Sequence, residues 1–278
     1  VVNGTLSMQG TATVSSAPTY GTVAKLEYNR NSPLAAGVEW ISPFVATGGV
    51  IIINTGLITS NSAKVFNSSV PLTVANDSGG GLDNGGFAIS GASVFTLAND
   101  ANLYLSGTST FPSGFSTNTI GATSTVEYNG TAQTVAVQNY GNLNLSNSGN
   151  KTFAGATLIA DELALSGTAV AILPTGSTSF SQTLTFSGVL QASTSWGGTA
   201  ATTATNNSAV WFGITTTGIL NVSLACTIGT WLGQSSTDWN NPNNWCSLII
   251  PAASTNVVIP AAAPYKPIIS TAGGSCRN

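Results

Sequence analysis

The sequence predicts an all-β protein, a parallel β-solenoid carrying a small Trp-rich β cap, on three observations. Helix formers are scarce while β-branched residues abound and Gly interrupts at short intervals. Short segments of two-residue alternation recur, each closed by a small polar turn. The x-Leu-x-Leu segments between positions 143 and 184 return about every twenty residues, the length of one coil. Tandem β-sandwiches are the alternative architecture.

The strands follow in order. Thr5-Leu6-Ser7-Met8-Gln9-Gly10 shares one template, x-Leu-x-apolar-polar-Gly, with Asn102–Gly107, Glu162–Gly167 and Thr183–Gly188, and Asn142–Asn147 differs in ending on Asn. A second template appears as Lys25-Leu26-Glu27-Tyr28-Asn29 and again as Thr125-Val126-Glu127-Tyr128-Asn129, which reads as internal duplication. Side chains alternate faces along a strand, so Leu26, Tyr28, Val126 and Tyr128 should point inward and Glu27 and Glu127 outward. Residues 1–222 are expected to make the solenoid body, of roughly ten coils and on the order of 50 Å long at about 4.8 Å per coil. Residues 223–278 are expected to form the cap or a junction between repeats.

Composition narrows the function. Only 5% of residues are charged, and the net charge of −3 comes without a basic run. Nucleic-acid binding lacks the cationic footprint it requires. No apolar stretch approaches the roughly 20 residues of a membrane span. With no His in the chain, Ser-His-Asp and Cys-His nucleophilic systems and H-E-x-x-H metal sites are excluded. A carboxylate pair could still cleave glycosides. Asp161 and Glu162, being adjacent, should lie on opposite strand faces and fail to cooperate. The Gly-rich stretch 76–86 places Asp77 and Asp83 where a weak Ca²⁺ site could form, against the plainer reading of a Gly-rich turn. No other cofactor is expected.

The segment Gly229–Cys246 holds three of the six Trp. Trp231, Trp239 and Trp245 can each bury roughly 150–250 Å², and Asp and Asn around Pro242 supply the turns on which the rings fold back. Two readings follow: a buried hydrophobic cap, or exposed rings as a sugar platform. The spacing Trp231-x-Gly233 … Asp238-Trp239-Asn240 … Asn244-Trp245 … Asn256-Val257-Val258-Ile259-Pro260 resembles the segment that opens repeat units in large secreted adhesin-like surface proteins of Bacteroidota. The stretch from Thr125 to Thr152 resembles repeats of the same proteins. In that family the Trp segment precedes the solenoid-like repeats, whereas here it follows them.

The resemblance implies a non-enzymatic, extracellular structural protein of the cell surface: a repeat or subunit of an adhesin or filament whose partners are other copies of itself end to end, with surface glycans as a further partner. The alternatives are a carbohydrate-binding module using exposed Trp and a polysaccharide-active β-helix enzyme. Reading the tail Gly273–Asn278 into the head Val1–Met8 gives a continuous strand pattern, as in one period of a tandem array or of a head-to-tail filament. Ordinary truncation is the other explanation. Val1–Met8 and Ser270–Asn278 are then expected to be strands near the junction of successive copies. In an oxidising exterior Cys246 is expected to pair with Cys226 or Cys276, closing a loop worth roughly 3–4 kcal/mol. The third thiol is left to bridge copies or to sit buried.

Overall fold

A computed structural model describes the chain except residues 54, 76–79, 224–228, 234–235, 247–248, 260–262, 264 and 270–278. Short strands wind into a parallel β-solenoid of about eight turns, with no α-helix among the described residues. A six-stranded parallel sheet forms the first face, running Thr5–Gln9, Lys25–Asn29, Val50–Ile53, Leu72–Ala75, Val94–Leu97 and Thr117–Ile120. The second face begins at Leu34–Ala35 and continues through Asn102–Leu105, Thr125–Tyr128 and Asn142–Leu145 to Leu158–Leu165 and Thr178–Phe186. Shorter strands, among them Lys64–Phe66, Gln133–Val135, Ser148–Phe153 and Thr168–Ile172, make the third face.

Two-residue alternation builds the core directly. On the second face Leu34, Ile58, Leu82, Leu103, Val126, Leu143, Leu163 and Leu184 stand in register, one per coil. All but the first, half-buried Leu34 are fully buried. On the first face the column Leu6, Leu26, Val50, Leu72 and Phe95 begins the same way, with Leu6 half-buried and the rest enclosed. The template's terminal residue is also explained: Gly10, Gly107, Asn147 and Gly167 all take positive φ, near 52–64°. Asn is the residue after Gly that best accepts this left-handed conformation, so Asn147 keeps the turn its strand requires.

Three expectations are corrected. The coils number about eight rather than ten. Leu26 pairs with Val50 and Val50 with Leu72, so early coils take 24 and 22 residues, and residues 189–218 form a cover instead of further turns. The rod is correspondingly nearer 40 Å, at about 4.8 Å per coil. The matching segments at 25–29 and 125–129 occupy different faces, so their likeness reflects the same strand chemistry and not a duplicated coil. Asp161 and Glu162 both lie on the outside, because the register shifts between Ile159 and Glu162 and breaks the alternation.

Candidate functional site

The outer acids act as straps between coils. Ser7 Oγ donates to Glu27 Oε1 (2.8 Å), Ser106 Oγ to Asp83 Oδ1 (3.0 Å), Ser146 Oγ to Glu127 Oε1 (2.6 Å) and Thr185 Oγ1 to Glu162 Oε1 (2.6 Å). Each hydroxyl comes from a neighbouring coil. Leu26, Tyr28, Val126 and Tyr128 are fully buried beside them, as the alternation requires. Asp83 Oδ1 also accepts from Gly85 N (2.8 Å), and Gly85 and Gly86 both have positive φ, the geometry of a Gly-rich turn. Asp77 lies outside the described residues. Among the described residues no three acidic, Cys or His side chains gather around a common point.

Among the described residues three cations are buried: Arg30, Lys64 and Lys151. Lys64 Nζ donates to Trp40 O (2.8 Å) and Asn61 Oδ1 (2.8 Å) and lies 5.2 Å from the centre of the Trp40 ring. Lys151 Nζ donates to Gly130 O (2.5 Å), Thr131 O (3.2 Å) and Gln133 Oε1 (2.8 Å). Gln133, one coil earlier in the same register, donates to Leu105 O and Ser109 O. A long polar side chain thus enters the third face at three coils and reaches back to carbonyls of the preceding corner. Burial lowers both lysines to about 8, although Glu39 opposes the shift at Lys64 and Glu127 at Lys151. The sequence has no basic run to single these cations out. Lys64-Val65-Phe66 and Lys151-Thr152-Phe153 share a Lys-x-Phe signature in which the Lys faces inward with the Phe, and this was the signal available.

The two ends of the stack differ. Beyond Leu184 the last coil is followed by the cover of residues 189–218 and the strand Ile219–Val222. Val189–Leu190 runs antiparallel to Thr185–Phe186, and Ile219–Val222 adds in parallel beside Thr178–Ser181. Phe186 stacks on Trp211 at 5.1 Å and 10° and meets Trp196 edge-on at 5.3 Å. Phe186, Trp196 and Trp211 thus pack against the coil core from within 1–222.

Trp231, Trp239 and Trp245 form their own small core, with Val257 and Ala263 against it. Trp245 lies edge-on to both others, at 4.8 Å from Trp231 and 4.6 Å from Trp239. Trp231 Nε1 donates to Tyr265 O and Trp245 Nε1 to Trp239 O, each at 2.6 Å. Fully buried Asn244 donates to Asp238 O (2.9 Å) and accepts from Ser236 N (3.0 Å), so the Asn-rich turn is built by side chains satisfying backbone. All three rings are buried, which removes the exposed platform that the carbohydrate-binding alternative needed. Cys246 is fully buried and disulfide-bonded; Cys226 and Cys276 lie outside the described residues, as does the expected strand Ser270–Asn278.

Between the last coils and this module runs a cleft of about 440 Å³, walled by Leu158, Ile159, Phe180, Val222 and Leu232 with Ser, Thr, Asn and Gln at its rim. Among the described residues that line it there is no acid or base. No family model, curated protein or solved structure matches the chain.

Proposed function

We propose that the chain is a non-enzymatic structural unit of an extracellular surface protein, a repeat or subunit of an adhesin or filament of the kind its Trp segment resembles. The observation that carries this reading is the eight-residue aliphatic column from Leu34 to Leu184, a continuous load path through the rod. Every inter-coil contact along it is a row of backbone bonds plus an apolar step. Extension along the rod must break several together, and such arrays gain stability from nearest-neighbour interfaces. Further support comes from Glu27, Asp83, Glu127 and Glu162, which are engaged in hydroxyl straps, and from the cleft, whose described lining holds no acid or base. The low charge suits a surface wetted by hydroxyls and amides, and a disulfide at Cys246 to either Cys226 or Cys276 suits an oxidising exterior.

The test is antibody labelling of intact and of permeabilised source cells. Labelling of intact cells at full strength supports the surface reading. Labelling only after permeabilisation overturns it. A glycan-retention assay on the purified chain reads the carbohydrate-binding alternative, and specific retention would favour that alternative.

A further inference from the structure

We propose that the Trp module of one copy seats on the first coil of a second copy, so that copies add head to tail in an open-ended series. The inference rests on the structural reading above and names the two surfaces that meet.

The head is an unprotected strand edge. Lys25 N donates to Gly4 O (3.0 Å). Alternate residues of a parallel strand address opposite neighbours. Leu6 and Met8 therefore bond toward Lys25–Asn29, and the peptide groups of Thr5 and Ser7 point outward, while Gln9 O accepts from Ala12 N (2.9 Å) in the turn that follows. Among the described residues no strand pairs with that outer side. Edge strands that stay unpaired normally carry a charge, a Pro or a bulge. Thr5–Gln9 carries none of these, and residues 1–24 contain no Asp, Glu, Lys or Arg at all. Both aliphatic columns reach this end half-open, at Leu6 and Leu34, with Val14 half-buried against the same core, and Val23 is 71% exposed.

The tail is an apolar surface at the opposite end. Ile249, Ile250, Val258, Ile259, Tyr265, Ile268 and Ile269 are each 37–56% exposed, and Lys266 is the single charge between 249 and 269. Summed, they leave on the order of 500 Å² of apolar surface open, against the roughly 800 Å² per partner of a stable interface. Val258 bonds Gly229 and Trp231 through its own peptide groups, which leaves those of Val257 and Ile259 aimed the other way. The head carries no charged side chain and the tail only Lys266, so the two surfaces set no like-charged side chains against each other. A head-to-tail contact covers both at once, whereas a contact between two heads leaves the apolar module bare. A heterologous contact propagates wherever its rotation does not close a ring, and one between opposite ends of a rod extends along the rod axis.

Sedimentation velocity on the full chain over a range of concentrations tests this with two variants, Thr5→Lys at the head and Ile268→Asp at the tail. The wild type should sediment as a concentration-dependent series. Each variant alone should be monomeric, and an equal mixture should stop at dimers, because the sound tail of the first fits the sound head of the second. A wild type that is monomeric throughout overturns the proposal. So does an Ile268→Asp protein that still dimerises, which assigns a head-to-head contact, or a Thr5→Lys protein that does, which assigns tail to tail. Val23→Lys and Val258→Asp serve as a second pair if circular dichroism shows either first variant misfolded. If the series forms but intact cells do not label, the contact stands and the surface reading falls; the converse outcome separates them the other way.

Discussion

Raising the pH from about 7 to about 9 should make this protein more stable, a consequence of its two buried lysines. In the folded chain Lys64 and Lys151 release their protons near 8, because burial disfavours the charged form, against 10.5 for an ordinary lysine. Between those values the unfolded chain binds more protons than the folded one, so stability rises with pH. A full one-proton difference is worth about 1.4 kcal/mol per pH unit, and the two lysines together should add at most about 2–3 kcal/mol by pH 9. Above pH 10 the sign reverses. Burial raises Tyr20, Tyr28 and Tyr140, with Glu39 adding to it at the first two, and pushes Tyr128 up to about 12. Unfolded phenols then ionise while folded ones do not, and stability falls. Urea midpoints followed by Trp fluorescence at successive pH values should trace a maximum between about 9 and 10. In the Lys64→Met/Lys151→Met protein the rising limb should vanish. A flat or falling wild-type profile between 7 and 9, or an unchanged slope in the double variant, would refute the reasoning.

Leu143→Ala, which empties one step of the aliphatic column between Val126 and Leu163, should cost about 2–5 kcal/mol in thermal or urea unfolding. Gly167→Ala should cost well over 1 kcal/mol, since φ is +64° and the new Cβ would lie 2.2 Å from Asn147 O; Asn147→Gly, at the equivalent turn one coil earlier, should be close to neutral in the same assay. Trp245→Ala should melt the Trp module early while the coil body unfolds near its original temperature, because the two apolar cores are separate; one shared transition in near-ultraviolet dichroism would contradict that.

Periodicity made the fold legible. The x-Leu-x-Leu segments at 143, 163 and 184 pair residue for residue, because a coil that adds one strand per face must return its inward side chains to the same column. What alternation could not reveal was the corner geometry. Asp161 and Glu162 defeat it through a register shift, and the closing aromatics Phe186, Trp196 and Trp211 lie too far apart in sequence to read as one cluster. The Trp231 segment was legible as a compact aromatic core, since its Asn and Asp turns lie between the rings they fold. Its separateness from the coil core was not, because three Trp suffice for a small core of their own. The buried lysines were hidden by an ordinary expectation that cations face water. Only the repeated Lys-x-Phe pairing, with Phe inward at both sites, marks them.

Electron microscopy of the native material tests the central claim most directly. The account predicts filaments or linear arrays with one chain per axial period, each a rod of coils on the order of 40 Å long followed by a compact module, all pointing the same way. Isolated single particles, or closed pairs related by a two-fold axis, would contradict it.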